Sequence, residues 1–242
     1  MADLRRALGL HTRTTFHIAK TLLMLGYLRQ MESSKHYQIG SPLFALASAA
    51  LDEVELIRAA RPVLADMANA TGETSYFGIM SGEKLVVLAK HDGSGAIRIN
   101  DRLGNVRPLH CTALGKVMLA SFGTEQFESY LQSANLAIFT SKTIRTVEQL
   151  RQGIADVRSS GIAFDGGEVS EELRCTTVPV YDFTDRVIGS LGISGPGWRL
   201  SIQALHKNTK TLQNAVERLS SELGARPMQH KSASESAPAS NS

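Results

Sequence analysis

The sequence predicts an α+β chain in two parts: a small helix-turn-helix with a wing, then a larger sheet covered by helices. Three observations predict it. Basic residues crowd the first forty positions, apolar residues there recur at helical spacing around a glycine turn, and beyond residue 72 short apolar strands alternate in blocks with capped helices. A length of 242 residues suits two domains.

Composition narrows the class. With 43% hydrophobic and 20% charged residues the chain can bury a core, so disorder is not the default. No apolar run approaches the roughly 20 residues of a membrane-spanning helix, and the first ten residues lack the apolar stretch of a signal peptide. A cytoplasmic protein without a membrane partner is expected. Cys111 and Cys175 are the two cysteines, too few and too scattered for a disulfide framework or a structural zinc site, so neither metal nor cofactor is expected.

The net charge of +3 is uneven. Residues 1–40 carry Arg5, Arg6, Arg13, Lys20, Arg29 and Lys35 against Asp3 and Glu32; six less two leaves +4 there and a nearly neutral remainder. A basic head on a neutral body fits phosphate contacts with DNA, although a solvated basic face is the plainer alternative.

Residues 3–8 read as a helix and Gly9-Leu10-His11 as a tight turn. Residues 12–25 read as a second helix closed by Gly26. On that helix Thr15, Ile18, Ala19, Leu22 and Leu25 form the expected buried face. Arg13, His17 and Lys20 fall at i, i+4 and i+7 on another, with Thr12, Thr14 and Phe16 beside them. Such a stripe of donors suits a helix laid in the major groove of double-stranded DNA; an ordinary solvent face is the alternative. Residues 27–30 and 36–39 read as a hairpin around Glu32-Ser33-Ser34-Lys35, a wing with Lys35 at its tip. This head occupies residues 1–40.

Ser41-Pro42 opens a linker helix over 41–60, followed by a second helix starting at Pro62 and ending at Gly72. The sensor part spans 61–224. Within it, 75–80 and 84–90 form a hairpin about Ser81-Gly82-Glu83, and 96–100 a further strand. Helices follow at 112–122, 125–133 and 146–160, the last with a Thr146/Gln149 capping box and Gly161 after its end. Strands return at 162–165, 174–182 and 186–194, the last stopped by Gly195-Pro196-Gly197. A helix over 201–223 precedes a Ser/Ala tail, residues 225–242, expected to be disordered.

Three sequence elements carry a family resemblance. Pro108-Leu109-His110-Cys111-Thr112-Ala113-Leu114-Gly115-Lys116 resembles the P-L-H-x-T-A-L-G-K element of the IclR family. Gly161-Ile162-Ala163-Phe164-Asp165 with Cys175, and Gly189-Ser190-Leu191-Gly192-Ile193-Ser194-Gly195-Pro196, resemble its G-Y-A-x-D, C-x-x-x-P-V and G-x-x-S-x-S-G-P elements in the same order. The resemblance runs from Gly9 to the final helix. It implies a winged helix-turn-helix, a dimerising linker helix, a GAF/PAS-like effector-binding domain with a curved antiparallel sheet flanked by helices, and a homodimer or homotetramer. The chain departs from the pattern in lacking the helix that normally precedes residues 3–8, and so reads as short at its N-terminus.

The helix opening at Thr112, Ala113 and Leu114 presents free backbone N–H groups, which favour the carboxylate of a small organic acid. By resemblance Asp165, Cys175 and Ser194 form the facing wall and Leu114, Met118 and Leu173 an apolar lining. Each wall residue has a plainer role open to it: Asp165 as a loop cap, Cys175 as a small buried hydrophobe, Ser194 as a turn residue. Gly192 stands where many relatives carry Ser, which would remove one polar group and admit a bulkier ligand.

The function expected is therefore a regulator of a catabolic operon, controlled by an organic acid. A ligand-binding, dimer-forming protein with impaired DNA binding is the alternative. An enzyme using His110, Cys111 and Asp165 is the rival class, disfavoured because adjacent residues rarely aim at each other. A metal sensor is disfavoured because no close ligand pairs occur.

Overall fold

The computed structural model describes residues 5–6, 8–31, 36–43, 55–95 and 103–225, and the chain divides into two compact units, residues 1–58 and 59–242. The wing tip with Lys35, residues 44–54 of the linker segment, the strand expected at 96–100 and the tail beyond Ala225 lie outside the described residues.

In the first unit Arg5, Arg6 and Leu8 are helical and α1 runs Thr12–Met24. Gly26, at φ 74°, turns the chain into β1 (Leu28–Gln30), which pairs antiparallel with β2 (Tyr37–Ile39). The sequence placed five residues on the buried face of α1. Thr15 and Ala19 are buried as expected, whereas Ile18 and Leu25 are 43% and 58% exposed. Periodicity identifies a face, but burial requires an element to cover it, and among the described residues none covers this end of α1.

Pro62 also departs from expectation. Instead of starting a helix, it lies inside α2, Glu55–Thr71. An internal proline deletes one backbone hydrogen bond and costs about 3 kcal/mol. Ile57, Ala60, Val63, Leu64, Met67 and Ala68 form one fully buried stripe along the same helix. At roughly 1.5–3 kcal/mol for each large side chain, that burial outweighs the break.

Gly72 (φ 73°) ends α2 and leads to β3 (Thr74–Ser81) and β4 (Lys84–His91), joined through Gly82. A short strand the sequence did not suggest, β5 (Val106–Arg107), pairs with β4. Three helices follow: α3 (Ala113–Ser121), α4 (Thr124–Ser133) and α5 (Val147–Ser160). Thr146 caps α5 by accepting from the Gln149 N–H at 3.2 Å, while the Gln149 side chain accepts from the Arg145 N–H at 3.0 Å. Next come β6 (Ala163–Asp165), β7 (Leu173–Tyr181), β8 (Val187–Pro196) and α6 (Ile202–Glu222).

The six described strands of the second unit form one curved antiparallel sheet in the order β5-β4-β3-β8-β7-β6. The fold of this unit is α+β. Strand β8 continues through Gly195-Pro196 rather than stopping before it. Strand β3 ends opposite Ser194, so Pro196 has a neighbour only on the β7 side, and its missing N–H removes no ladder bond.

Strand alternation sends successive side chains to opposite faces. Ala163 joins Ala113 and Val117 in one apolar cluster beneath α3, while Phe164 meets His206 of α6. Ser75 donates to the Leu64 carbonyl of α2 at 2.7 Å. The sheet therefore carries α3 on one face and α2 with α6 on the other. A second core of Leu85, Met118, Leu119, Phe127, Leu150 and Ile154 packs α3, α4 and α5 together.

Candidate functional site

The site is a cavity of about 60 Å³ between the N-terminus of α3 and the sheet face beneath it. At roughly 10–15 Å³ per water, this is room for about four to six waters or a compact ligand. Two rows of paired residues form the floor. Asp165, Cys175 and Ser194 are register partners across β6, β7 and β8, and Thr177, Gly192 and Tyr76 form the row two residues along, across β7, β8 and β3.

Thr112 caps α3 by accepting from the Gly115 N–H at 3.0 Å and donates its own O–H to the Pro108 carbonyl at 2.6 Å. Among the described residues the amides of Ala113 and Leu114 find no acceptor. Both residues line the cavity, and unpaired amides at a helix N-terminus favour an anion. Gly115 is required here: a Cβ would lie 2.4 Å from the Leu109 Cα.

Chemistry on the floor is set by burial. The Cys175 thiol donates to the Ser194 hydroxyl oxygen at 3.0 Å, which leaves the Ser194 O–H free to donate elsewhere. Burial, reinforced by the Asp165 charge, pushes both cysteine thiols up to about 12, so each is held as a neutral thiol. His110 is driven the other way, mainly by burial and further by Lys116, and its Nε2 bonds the Ala137 carbonyl at 3.0 Å.

Asp165 is buried, and burial raises its carboxyl above the ordinary 3.8 despite Oδ1 accepting the Gly167 and Glu168 N–H groups at 2.9 and 2.6 Å. The plainer role, capping the following loop, is thus one that Asp165 performs. That loop is pinned to α3 by Lys116, whose Nζ meets Glu168 Oε1 at 2.5 Å with both side chains nearly buried.

Of the eight ligand-site residues read from the sequence, Thr112, Ala113, Leu114, Asp165, Leu173, Cys175 and Ser194 line this one cavity. Met118 does not; little more than one helical turn beyond Leu114, it packs in the core of α3, α4 and α5. Sequence reading missed Tyr76, Arg107, Val169 and Thr177. Thr177 was within reach, since strand period two from Cys175 lands on it. Arg107 was not, because nothing marked β5 as a strand.

Gly192 also needs correcting. A Cβ there would lie 2.4 Å from both the Thr176 carbonyl oxygen and the Thr177 hydroxyl oxygen. The space a serine would take is filled by Thr177, so the glycine does not widen the cavity. In the first unit Thr12, Arg13, Thr14, Phe16, His17 and Lys20 are all exposed on α1.

Residues 48–221 match the family model described as bacterial transcriptional regulator IclR C-terminal. The chain belongs to the IclR family. This IclR-family chain is 31% identical over 224 residues to the HTH-type transcriptional regulator KdgR of Escherichia coli K12, covering 93% of this chain and 85% of that protein. It is 30% identical over 224 residues to XynR of the same organism, covering 93% and 89%. Among solved structures, an IclR-type regulator from Silicibacter sp. TM1040 superposes with a TM-score of 0.81 at 26% identity, covering 93% of this chain and 89% of that one. The relatives are transcriptional regulators rather than enzymes. Among the described residues no helix is long and apolar enough to cross a membrane.

Proposed function

We propose that this IclR-family chain is a DNA-binding regulator whose winged helix-turn-helix head, residues 1–40, is governed by a small organic acid held in the cavity beneath α3. The observation that carries the reading is the convergence of the free Ala113 and Leu114 amides with the Ser194 hydroxyl on one small cavity. The amides receive the carboxylate, and Ser194 donates to a second oxygen of the ligand. Leu114 and Leu173 supply apolar contact. Arg107, on the rim, adds a positive charge that attracts the acid.

On α1 the exposed Arg13, His17 and Lys20, with Thr12, Thr14 and Phe16, are the residues for groove and phosphate contacts, and Lys35, which falls in sequence between β1 and β2, is assigned to the same role. Ligand binding favours one arrangement of sensor and linker, residues 41–60, and so biases the spacing of two heads in a homodimer or tetramer. An enzymatic reading is weakened by the two thiols near 12, since neither supplies a thiolate nucleophile. The exposed Ile18, Met24 and Leu25 favour a second reading, a sensor that dimerises and binds DNA poorly.

Fluorescence anisotropy with labelled DNA from upstream of the protein's own gene, against scrambled DNA at several salt concentrations, tests the first reading. Selective, saturable binding is expected, with Arg13→Gln and Lys20→Gln each reducing the salt slope by about 1. Absence of selectivity overturns it in favour of the second.

A further inference from the structure

A second cleft, of about 340 Å³, shares only Arg107 with the sensor cavity. Its volume falls in the roughly 300–1,000 Å³ range of small-molecule sites. One wall is a polar stripe on α4: Gln126, Ser129, Tyr130 and Ser133 fall at i, i+3, i+4 and i+7, while Phe127 and Leu131 of the same helix are buried. The facing wall carries two cations, Lys84 at the start of β4 and Arg107 at the end of β5, with Glu83 on the rim. Pro108, Leu109 and Phe122 provide apolar surface.

Ser133 on α4 donates to the Ser129 carbonyl at 3.2 Å, but other donors of the cleft are not consumed by the fold. Among the described residues the Lys84 ammonium, the Gln126 carboxamide and the Tyr130 hydroxyl make no hydrogen bond. Burial pushes the Tyr130 phenol up to about 12, so it remains a donor across the physiological range. A cleft with cations at one end, apolar surface beside it and hydroxyl and amide donors opposite matches a flat anion with a polar substituent.

We propose that this cleft is a second ligand site for a small aromatic carboxylate, separate from the organic-acid cavity. The carboxylate pairs with Lys84 and Arg107, the ring rests on Pro108, Leu109 and Phe122, and a ring hydroxyl meets Tyr130 or Gln126. Because Arg107 lines both cavities, an acid bound here changes the affinity of the other site, and by linkage the reverse also holds.

The test is isothermal titration calorimetry of the full chain with 4-hydroxybenzoate. Wild-type protein is expected to bind saturably. Ser129→Trp, which fills the cleft from an exposed position on α4, and Lys84→Glu, on an exposed strand start, are each expected to weaken that binding at least tenfold. Circular dichroism checks that both variants fold, and because Lys84 is exposed, Lys84→Glu keeps the test decisive if the tryptophan perturbs α4. No saturable binding overturns the proposal. Binding undiminished in Lys84→Glu and in folded Ser129→Trp also overturns it, by assigning the acid to the sensor cavity. DNA affinity is not read in this assay, so its failure is distinct from failure of the regulator reading.

Discussion

Thr177 and Gly192 face each other across β7 and β8, and a Cβ on Gly192 would lie 2.4 Å from the Thr177 hydroxyl oxygen. One residue of the pair supplies the hydroxyl and the other the room for it. Gly192→Ser is therefore expected to destabilise the protein by about 1–3 kcal/mol through overpacking. Thr177→Ala in the same chain should recover part of the loss, the Thr176 carbonyl remaining in the way. Urea unfolding midpoints check this; a single variant with an unchanged midpoint would mean that β7 yields at no cost.

Lys116 and Glu168 are an ion pair with side chains 8% and 12% exposed. Removing one partner of a buried pair leaves a charge uncompensated, at about 3–5 kcal/mol. Lys116→Met should lose stability on that scale. Adding Glu168→Gln should restore part of it, because the Glu168 charge is then gone while buried Asp165 still lacks the charge of Lys116. A double variant as unstable as the single one would contradict the electrostatic account.

Asp165 binds its proton more tightly in the folded protein than in the unfolded chain, because burial raises its carboxyl above 3.8. Its contribution to stability is therefore largest below the unfolded value and is lost as pH rises through the raised folded value. Asp165→Asn retains an oxygen for the Gly167 and Glu168 N–H groups and carries no charge. It should exceed wild type in stability at neutral pH, with the gap closing on acidification. Thermal melts across pH decide the matter; an Asn variant less stable at every pH would show that the carboxylate is favoured by its surroundings.

Cys111 and Cys175 should resist alkylation in the native protein. With thiols near 12, the thiolate fraction at pH 8 is about a thousandfold below that of a free cysteine with a value near 9. Iodoacetamide labelling followed by mass spectrometry is expected only after denaturation. Rapid labelling of Cys175 in the folded chain would reopen the question of a reactive cysteine.

Most of the site was legible because its residues sit in short contiguous elements with strong local signals. Thr112 caps a helix, Cys175 and Ser194 lie on regular strands, and Gly161 ends α5 at φ 71°. Arg107 escaped notice because two residues of edge strand leave no periodic pattern. Met118 was misplaced because helix geometry alone does not say which of two apolar directions faces the cavity and which the α3–α5 core.

The sequence by itself determined the order and type of most elements, though not β5 or the start of α2, together with helix caps and turns, the basic character of the head and the family. Each of these depends on interactions within a few residues or on the pattern of residue types. Tertiary structure decided the rest: that α2 runs through Pro62, that Asp165, Cys175 and Ser194 align as one row, and that Thr177 fills the space beside Gly192. Those outcomes depend on strand register and on which faces are covered. Burial energy and steric exclusion set both, between residues distant in sequence.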